Sequence, residues 1–451
     1  MPSSKKILKK TLKSSFLKKK GVLLALLPLL FSCSSPSVSS SSVPFTLSFS
    51  GTYPQTNLSE SPLKIIVASD LHYLAPELHD QGAAMTNMVE HADGKVSQYG
   101  EEVLEAFLSE VEAAKPDALF LTGDLSFNGE KLSHEHLAEK LLPLEEKGIA
   151  VLVLPGNHDI DSSAAYFYRD DVVGASDNVD KNSFLRIYAP VTYEKISSFD
   201  PDSLSYVYPL RKDLRVLSLS ADADEENRGG LSDASLLWAK SEMEKGDAAG
   251  VKWITLSHES LLKQNPLFTS FSLKNASSVA ELYRQHQCLA NFSGHLHIQH
   301  FVEEDTLSDI CSSSLLVSPS HYGVVELDQN ALHYHTENVD VAGYWKKKGS
   351  SNSDLLNYAS FAEDFFRQSN QRRMVISLED SPYSSEEKDL LLKSYGEINY
   401  RYFAGEKTDE SYCPDGFKLW RDSTWGSSSY VRSMLDVDQK DYNSYQKSFG
   451  K

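Results

Sequence analysis

The stretch Val151–Asp159, with the sequence VLVLPGNHD, decides the fold. Its apolar run ends abruptly at Pro155 and is followed by the polar residues Asn157, His158 and Asp159. A continuous apolar run of this kind is typical of a strand that is buried on both faces. The polar end of such a strand lies at the carboxyl edge of a sheet, where α/β folds place their functional sites. We therefore expect an α/β fold whose site includes the end of this strand.

Four other stretches repeat this pattern of an apolar run that ends in Asp or His. They are IIVASDLH (Ile65–His72), ALFLTGD (Ala118–Asp124), WITLSH (Trp253–His258) and LANFSGHLH (Leu289–His297). Such repetition is hard to obtain by accident. Because α/β sheets place their sites at the carboxyl ends of the strands, we expect these polar residues to converge.

Helical patterns separate the first strands. Apolar residues fall on one helical face in Glu101–Lys115 and again in Ser133–Glu146, and a strand follows each of them. This βαβαβ order predicts a largely parallel sheet with right-handed crossovers. Further helices are expected at Leu231–Lys245 and Ser278–Gln287, and the short alternating runs of residues 297–339 predict antiparallel strands of a second sheet that completes a sandwich.

The pattern changes near Asp340, after a main domain that is expected to cover residues 61–339. Three helices are predicted beyond it: Asp354–Phe366, Ser384–Tyr395 and Tyr430–Tyr445. No strand is expected there. We interpret residues 340–451 as a small, mostly helical C-terminal domain that packs on the main domain. At the other end, residues 45–57 are expected to form an opening strand or an arm.

The amino terminus, residues 1–32, has the character of a signal peptide. A basic region, Lys5–Lys20, precedes the apolar run Val22–Phe31, which is too short for a comfortable transmembrane helix. The sequence Leu30-Phe31-Ser32-Cys33 resembles the lipobox of bacterial lipoproteins, which implies cleavage before Cys33 and lipid attachment to its sulfur. A Ser-rich tether then opens residues 33–60. These features predict an extracytoplasmic protein anchored to the cell membrane by lipid, with an ordinary secretory signal as the alternative.

Charge and composition limit the partners that the chain can have. The hydrophobic fraction is 41% and the charged fraction is 24%, as in soluble globular proteins. The net charge is -19, and because residues 1–32 hold eight Lys and no acid, the rest of the chain carries -27. A body this acidic repels polyanions, which argues against a nucleic-acid polymer as partner. A small anionic substrate needs local positive charge, which bound metal ions can supply.

Three cysteines follow Cys33 in the chain: Cys288, Cys311 and Cys413. An odd number of cysteines does not form a complete disulfide framework, and none of the three lies near another in a metal-binding spacing. The sequence leaves open whether two of them form a disulfide, and we assign them no chemistry.

The polar residues at the strand ends have the chemistry of metal ligands. They are Asp70, His72, Asp124, Asn157, His158, His258, His295 and His297. Carboxylate, amide oxygen and neutral imidazole suit borderline-to-hard divalent ions such as Mn, Fe or Zn. The set is too large for one ion, since a catalytic zinc site takes three protein ligands, whereas two ions about 3.5–4 Å apart would use it fully. A carboxylate can bridge such a pair, and a hydroxide held between the ions is a nucleophile at neutral pH.

The motifs DLH, GD, GNHD, a lone His and GHLH, in this order, resemble the calcineurin-like metallophosphoesterase superfamily over residues 63–297. The resemblance implies a four-layer α/β/β/α sandwich and a dinuclear metal site. It also implies the metal ligands: Asp70, His72 and His297 hold one metal, Asn157, His258 and His295 hold the other, and Asp124 bridges the two. His158 would donate a proton to the leaving oxygen or stabilise phosphoryl charge. Asp159 would orient His158. The alternative role for His158 is to contact and position the metal ligands without acting as the acid.

The expected activity is metal-dependent hydrolysis of a small phosphate ester by a metal-bound hydroxide, with His158 as the acid. Secreted lipoproteins of this superfamily with a helical tail resemble phosphodiesterases, including those that act on cyclic nucleotides. One departure is Ser257-His258-Glu259, where many cyclic-nucleotide enzymes of the superfamily carry His-His-Pro. The alternatives are a phosphomonoesterase or nucleotidase, a phospholipid or wall-polymer diesterase, and a lipoprotein that binds phosphate without turnover. The sequence leaves the oligomeric state open.

Some residues near these motifs are expected to have no part in the chemistry. His134 and His136 open a helix after the bridging Asp and are expected at the surface. His333 and His335 share one face of a predicted strand, and that face is expected to be solvated. Tyr73 is expected either to line the pocket or to belong to the core.

Overall fold

The computed structural model describes residues 45–267, 269–437 and 439–449. The predicted signal peptide, the predicted lipid-attachment residue Cys33 and the Ser-rich tract up to residue 44 lie outside the described residues. Residues 45–62 run as an arm with no helix or strand assigned to them, so the expected opening strand is not formed. Within the described part of the chain, no helix combines the length and the apolar character needed to span a membrane.

The described residues form two main sheets, a small hairpin and twelve helices. The strands are β1 (Leu63–Ala68), β2 (Ala118–Leu121), β3 (Ala150–Val153), β4 (Tyr166–Arg169), β5 (Val172–Ala175), β6 (Ser198–Phe199), β7 (Tyr206–Arg211), β8 (Leu214–Ser218), β9 (Lys252–Leu256), β10 (Cys288–Ser293), β11 (His300–Glu304), β12 (Leu307–Cys311), β13 (His321–Leu327), β14 (Ala331–Asn338) and β15 (Ser444–Ser448). The helices are α1 (Ala83–His91), α2 (Gly100–Ala114), α3 (Lys131–Glu146), α4 (Lys181–Tyr188), α5 (Asp233–Ala248), α6 (Ala276–Gln285), α7 (Val341–Lys347), α8 (Ser353–Leu356), α9 (Tyr358–Leu378), α10 (Ser385–Phe403), α11 (Pro414–Asp422) and α12 (Ser428–Asp436).

The first sheet has six strands in the order β15-β14-β13-β1-β2-β3. β1, β2 and β3 are parallel to one another and buried along nearly their whole length, as their apolar runs predict. The helices α2 and α3 form the two crossovers between them, which confirms the predicted βαβαβ order. On the other side of β1, the strands β13, β14 and β15 are antiparallel, so the sheet is parallel in one half only.

The second sheet has seven strands in the order β11-β12-β10-β9-β8-β7-β6. The central strands β12, β10, β9 and β8 are parallel, and antiparallel strands flank them at both edges. The antiparallel strands predicted for residues 297–339 exist, but they divide between the two sheets. β11 and β12 extend the second sheet, whereas β13 leaves it and pairs with β1 of the first.

Four layers result from the packing of these elements. The two sheets share one core, in which the ring centroids of Phe120 on β2 and Phe292 on β10 lie 6.3 Å apart. Helix α2 covers the outer face of the first sheet, where Phe107 packs on Tyr322 of β13. Helices α5 and α6 cover the outer face of the second sheet around Trp253. The predicted α/β/β/α sandwich is therefore confirmed.

The region after Asp340 is mostly helical, as expected, but its last element is a strand. The predicted helix Tyr430–Tyr445 is confirmed only at its start, because α12 ends at Asp436 and β15 pairs antiparallel with β14. Within β15, Tyr445 is buried and the residues on either side of it are exposed, which is the period of a strand with one face on the core. The end of the helical region thus completes the first sheet.

Cys288, Cys311 and Cys413 are free thiols. Cys311 and Cys413 are buried, and Cys288 is half-buried. No disulfide therefore joins these three residues. Cys311 packs instead among the apolar side chains of α9 to α12, where the sandwich meets the helical region.

Candidate metal centre

The loops that follow β1, β2, β3, β9 and β10 carry the predicted ligands to one edge of the two sheets. Five of these ligands adopt left-handed backbone conformations, with φ between 40° and 69°: Asp70, His72, Asp124, His295 and His297. This conformation is unfavourable for a residue with a side chain, although Asp and His tolerate it better than most. The sharp turns it creates direct alternate side chains of the DLH and GHLH motifs to the same place.

The first group of ligands contains Asp70, His72 and His297. The Nε2 atoms of His72 and His297 lie 3.0 Å apart, and His297 Nε2 lies 3.3 Å from Asp70 Oδ1. Together with Asp124, one ligand atom of each residue lies within 4.8 Å of all the others. Asp70 Oδ1 is buried and has no hydrogen-bond partner among the described residues, while Oδ2 accepts from the backbone N–H of His295 at 3.0 Å.

The second group contains Asn157, His258 and His295, with His258 at its centre. His258 Nε2 lies 3.2 Å from Asn157 Oδ1 and 3.3 Å from His295 Nδ1. The other ring nitrogen, Nδ1, donates to the carbonyl oxygen of Thr122 at 2.8 Å. That hydrogen bond fixes the proton on Nδ1, so the lone pair of Nε2 is available to a cation.

Asp124 lies between the two groups and faces both. Its Oδ2 atom is 3.6 Å from His72 Nε2, and its Oδ1 atom is 3.4 Å from His258 Nε2. The residue is 1% exposed, so its charge is hardly screened by water. One carboxylate with an oxygen towards each group is the arrangement needed to bridge two ions.

The glycine before Asp124 is required by close packing. Gly123 has a φ of +96°, and a Cβ atom built on it would collide with the imidazole ring of His258. A residue with a side chain would therefore displace His258 from the second group. This explains in physical terms the Gly in the GD motif.

The pKa values of the cluster follow from burial and from the facing charges. Burial alone would raise the pKa of Asp70, but the facing imidazole of His297 helps to outweigh it, and the pKa is lowered. Burial is the largest effect on His72 and lowers its pKa well below the usual range. Burial also acts to lower the pKa of His258, yet the nearby Asp124 carboxylate overcomes it and the pKa is raised. The raised pKa means that His258 tends to hold a second proton, on Nε2. A cation bound at Nε2 would take the place of that proton.

The residues present fit two divalent ions. The buried carboxylate oxygen Oδ1 of Asp70 has no hydrogen-bond partner among the described residues, which is costly unless a cation binds it. It lies in a cluster with ligand atoms of His72, Asp124 and His297 that are all within 4.8 Å of one another, and Asn157, His258 and His295 offer a second set of oxygen and nitrogen ligands beside Asp124. Oxygen and imidazole ligands without a thiolate suit Mn, Fe or Zn.

His158 lies beside both groups and belongs to neither. Its Nε2 atom is 4.0 Å from Asp124 Oδ2, and its side chain is 28% exposed, whereas that of His72 is fully buried. A ligand entering from solvent can therefore reach His158. Its Nδ1 atom lies 2.7 Å from Asn128 Oδ1. Burial lowers the pKa of His158, although Asp124 acts in the opposite direction.

The orienting role predicted for Asp159 is not carried by a direct hydrogen bond, because among the described residues its carboxylate bonds to other groups and not to the ring of His158. One oxygen of Asp159 accepts from the backbone N–H groups of Leu125 and Gly156, and the other accepts from the N–H and hydroxyl of Ser126. Asp159 therefore ties the loop after β2 to the loop after β3. The residue that contacts the imidazole of His158 is Asn128, four positions after Asp124.

Two residues that the sequence motifs do not mark also reach the centre. Asp93 and Lys95 lie in the loop between α1 and α2. Asp93 Oδ2 is 3.8 Å from His297 Nδ1, and Lys95 Nζ is 3.4 Å from Asp93 Oδ1. No strand precedes this loop and no spacing singles it out, so only the folded chain reveals it.

The remaining expectations have mixed outcomes. His134 is buried and not at the surface: its Nε2 atom lies 3.2 Å from the carbonyl oxygen of Asp159. His333 and His335 are exposed on β14, as expected. Tyr73 is 1% exposed and its hydroxyl donates to a glutamate on α2 at 2.6 Å, so it belongs to the core.

Comparison with known proteins agrees with this geometry. The family model of the calcineurin-like phosphoesterases matches residues 63–299, and the model of the C-terminal domain of cyclic nucleotide phosphodiesterase matches residues 340–441. A probable cyclic nucleotide phosphodiesterase from Rhodococcus erythropolis is 27% identical over 235 residues, which are 52% of this chain and 64% of that protein. The match thus spans less than two thirds of that relative.

The solved structures that the chain matches include a dimetal phosphatase from Danio rerio. It is 12% identical, has a TM-score of 0.46 and is matched over 61% of this chain and 96% of its own. The phosphoesterase family model covers more than half of the chain, and its span contains both groups of ligands and the carboxylate between them. The protein therefore belongs to the calcineurin-like phosphoesterase family.

Proposed function

We propose that the protein is a dinuclear phosphodiesterase that hydrolyses a small phosphodiester, with cyclic nucleotides as the first substrate class to test. The observation that carries the hydrolytic part is the placement of Asp124, with one carboxylate oxygen towards each group of ligands. The match of residues 340–441 to the C-terminal domain of cyclic nucleotide phosphodiesterase supports the substrate class. The relative from Rhodococcus erythropolis carries a name of the same kind.

The ligand groups have separate tasks in this proposal. Asp70, His72 and His297 would hold one divalent ion, and Asn157, His258 and His295 would hold the other. Asp124 would contact both. When bound, such a pair of ions neutralises phosphoryl oxygens and supplies a water nucleophile that is active at neutral pH. Mn, Fe and Zn are the ions that this ligand set would take.

His158 handles the proton of the leaving group. Because the amide oxygen of Asn128 can only accept a hydrogen bond, the proton of neutral His158 lies on Nδ1 and Nε2 faces the site. Burial lowers the pKa of His158 in the free protein, and a phosphoryl anion bound beside the ring would favour its protonated form. Nε2–H then donates to the departing oxygen. A protein that only binds phosphate has no need of this arrangement.

The test compares bis-(p-nitrophenyl) phosphate, p-nitrophenyl phosphate, 3′,5′-cyclic AMP and glycerophosphodiesters in the presence of Mn, with EDTA and the Asp124→Asn variant as controls. The proposal expects the diesters to be hydrolysed faster than the monoester. Preference for the monoester would replace it with a phosphomonoesterase or nucleotidase. Turnover of glycerophosphodiesters alone would favour a phospholipid or wall-polymer diesterase. Phosphate binding with no turnover of any ester would leave a binding lipoprotein.

We also propose that the protein acts outside the cytoplasm, attached to the membrane by lipid on Cys33. The order of basic, apolar and Leu-x-Ser-Cys segments at the amino terminus supports this location. The test is fractionation of cells that express the chain or its Cys33→Ser variant. Release of the variant alone into the medium or the soluble fraction is expected. Equal membrane association of both would overturn the lipid anchor.

A further inference from the structure

The loop of Asp93, Gly94 and Lys95, called here the DGK loop, carries a largely buried lysine that Asp93 links to His297 of the metal centre. We propose that Lys95 binds the phosphoryl group of the substrate and that helix α9 of the C-terminal region holds it in position. This inference rests on the phosphodiesterase function proposed above. It gives the helical region a direct part in substrate binding.

Lys95 is buried without enough protein partners. The residue is 9% exposed, and the nearest carboxylate oxygen is Asp93 Oδ1 at 3.4 Å. Across the described residues, Asp93 is its sole ion-pair partner, and no hydrogen bond from Lys95 Nζ is formed. An ammonium group has three N–H donors, and burying them without acceptors is costly. Lys95 Nζ therefore has N–H donors that remain available to a further anion.

The charge of Lys95 acts on the residues at the reaction site. After burial, it is the largest effect that lowers the pKa of His72, and it also lowers the pKa of His158. Its neighbour Asp93 faces His297 Nδ1 at 3.8 Å. Asp93 thus connects Lys95 to the first group of ligands, through contacts with Lys95 on one side and with His297 on the other.

The chemistry of the site indicates which anion this is. Bound divalent ions would repel a neighbouring ammonium group unless negative charge lies between them. Asp93 supplies one negative charge, but it is shared between Lys95 and His297. A phosphodiester group bound to the ions would place further anionic oxygens within the same pocket. In a body that is otherwise acidic, this lysine supplies the local positive charge that an anionic substrate needs.

Helix α9 packs directly on the DGK loop. Gly94 has a φ of +94°, and a Cβ atom there would be 2.7 Å from the Phe366 ring and 3.1 Å from Asn370 Nδ2. Two arginines of the same helix, Arg372 and Arg373, donate to the carbonyl oxygens at the end of α1, at 3.1 and 3.2 Å. The loop is thus pressed between the sandwich and the helical region.

The backbone of Lys95 is fixed on its other side by the sandwich. It forms an antiparallel bridge with Val317, which packs in one buried cluster with Phe366 and Tyr400 of the helical region. Phe366 therefore supports the loop twice, through Gly94 and through Val317. Phe366 is a positioning residue in this inference, and Lys95 is the residue that touches substrate.

The experiment uses the whole chain loaded with Mn. Lys95→Met is compared with Lys95→Arg and with Lys240→Met, a control at an exposed position on α5. The loss of one charged hydrogen bond to phosphate is expected to lower kcat/KM for bis-(p-nitrophenyl) phosphate about 10- to 100-fold in Lys95→Met, chiefly through KM. Lys95→Arg is expected to retain most of the affinity, and Lys240→Met is expected to behave as wild type.

Binding of inorganic phosphate, measured by calorimetry on the same Mn-loaded proteins, gives a readout that needs no turnover. Lys95→Met is expected to weaken phosphate binding about 10-fold or more while the Mn content and Tm stay at wild-type values. Unchanged phosphate binding, or loss of Mn in this variant, would overturn the inference. Failure of wild type to hydrolyse any diester would instead overturn the proposed function, since phosphate binding could still be measured.

The part played by α9 is tested with Phe366→Leu, and with Phe366→Ala if that variant folds. Each is expected to weaken phosphate binding when Lys95 is present. In the Lys95→Met background each is expected to cause little further loss of phosphate affinity, because both changes act on the same contact. Ile376→Ala, at an exposed position of α9, is the control. Full additivity of the changes at Phe366 and Lys95 would show that α9 does not act through Lys95.

Discussion

The Nδ1 atom of His158 lies 2.7 Å from the Oδ1 atom of Asn128. The backbone N–H of His158 also donates to Asp124 Oδ1 at 2.9 Å. The first contact holds the ring through the loop after β2, and the second holds the backbone of His158 through the carboxylate that faces both ligand groups. The proton-donating atom Nε2 is thereby fixed relative to the metal centre, and this permits separate predictions for the two residues.

Replacement of His158 by Ala is expected to preserve both metals, since His158 is not a member of either ligand group. The loss of proton donation should slow poor leaving groups most, by about 10²–10⁴-fold, and p-nitrophenyl esters least. The measurement is kcat for a series of aryl phosphodiesters of increasing leaving-group pKa, with metal content as the control. Equal slowing across the series would count against proton donation by His158.

Replacement of Asn128 by Ala is expected to lower kcat about 10-fold with little change in KM, because the ring of His158 loses the partner that sets its tautomer. Asn178→Ala, at an exposed position in the loop between β5 and α4, is the matched control and should not affect kcat. In a His158→Ala background, Asn128→Ala should have no further effect on kcat. A clear additional loss there would assign Asn128 a role that does not pass through His158.

Asp124→Asn is expected to lose metal and nearly all activity. The amide keeps the size of the side chain but removes the charge and one of the two acceptor oxygens that face His72 and His258. The measurement is metal content by elemental analysis after dialysis, together with diesterase activity in added Mn. Two retained ions with normal turnover would remove the bridging role of this residue.

Asp159→Asn is expected to act on stability. Its carboxylate accepts four hydrogen bonds, so an amide leaves at least one buried N–H without an acceptor, at a cost of about 1–3 kcal/mol in the free energy of unfolding. Tm should fall, while the kcat of the folded fraction changes far less than in Asn128→Ala. A large fall in kcat with unchanged Tm would restore the orienting role that the sequence predicts for Asp159.

The sequence predicts the strand ends well because their signal is local. An apolar run that stops at Asp, Asn or His predicts both a strand and the edge of the sheet at which its polar end lies. The five stretches of this kind carry the residues of the two ligand groups. The role of Asp159 was different in origin, since only the family resemblance implied it: the carboxylate bonds to Leu125, Ser126 and Gly156 rather than to the ring of His158. Asn128, from another loop, makes the contact.

The features that the sequence did not predict depend on distant packing. Lys95 is brought to the centre by Phe366, which lies far along the chain, and no spacing encodes that contact. The strand β15 is similar: its five residues carry one buried Tyr and pair with β14 only because α12 ends early and returns the chain to the sheet. The local helical periodicity near Tyr430 does not indicate that the chain returns to the sheet.

The loop that carries Asn128 also holds a buried carboxyl group that makes stability depend on pH. Glu130 is fully buried, and its Oε2 accepts from the backbone N–H of Asn128 at 2.8 Å, while Oε1 has no hydrogen-bond partner among the described residues. Burial raises the pKa of Glu130 from 4.5 to about 7. Between these values the unfolded chain binds fewer protons at this group than the folded protein does, so stability falls as pH rises from about 4.5 to about 7 and then levels off.

Replacement of Glu130 by Gln keeps the hydrogen-bond acceptor and removes the ionisation. We therefore expect this variant to have a Tm about 2–5 °C above wild type at pH 8 and a smaller difference at pH 5, by thermal unfolding monitored at both pH values. Glu146→Gln, at an exposed position on α3, should show no such change. A Tm difference between Glu130→Gln and wild type that is the same at both pH values would mean that Glu130 does not titrate in this range.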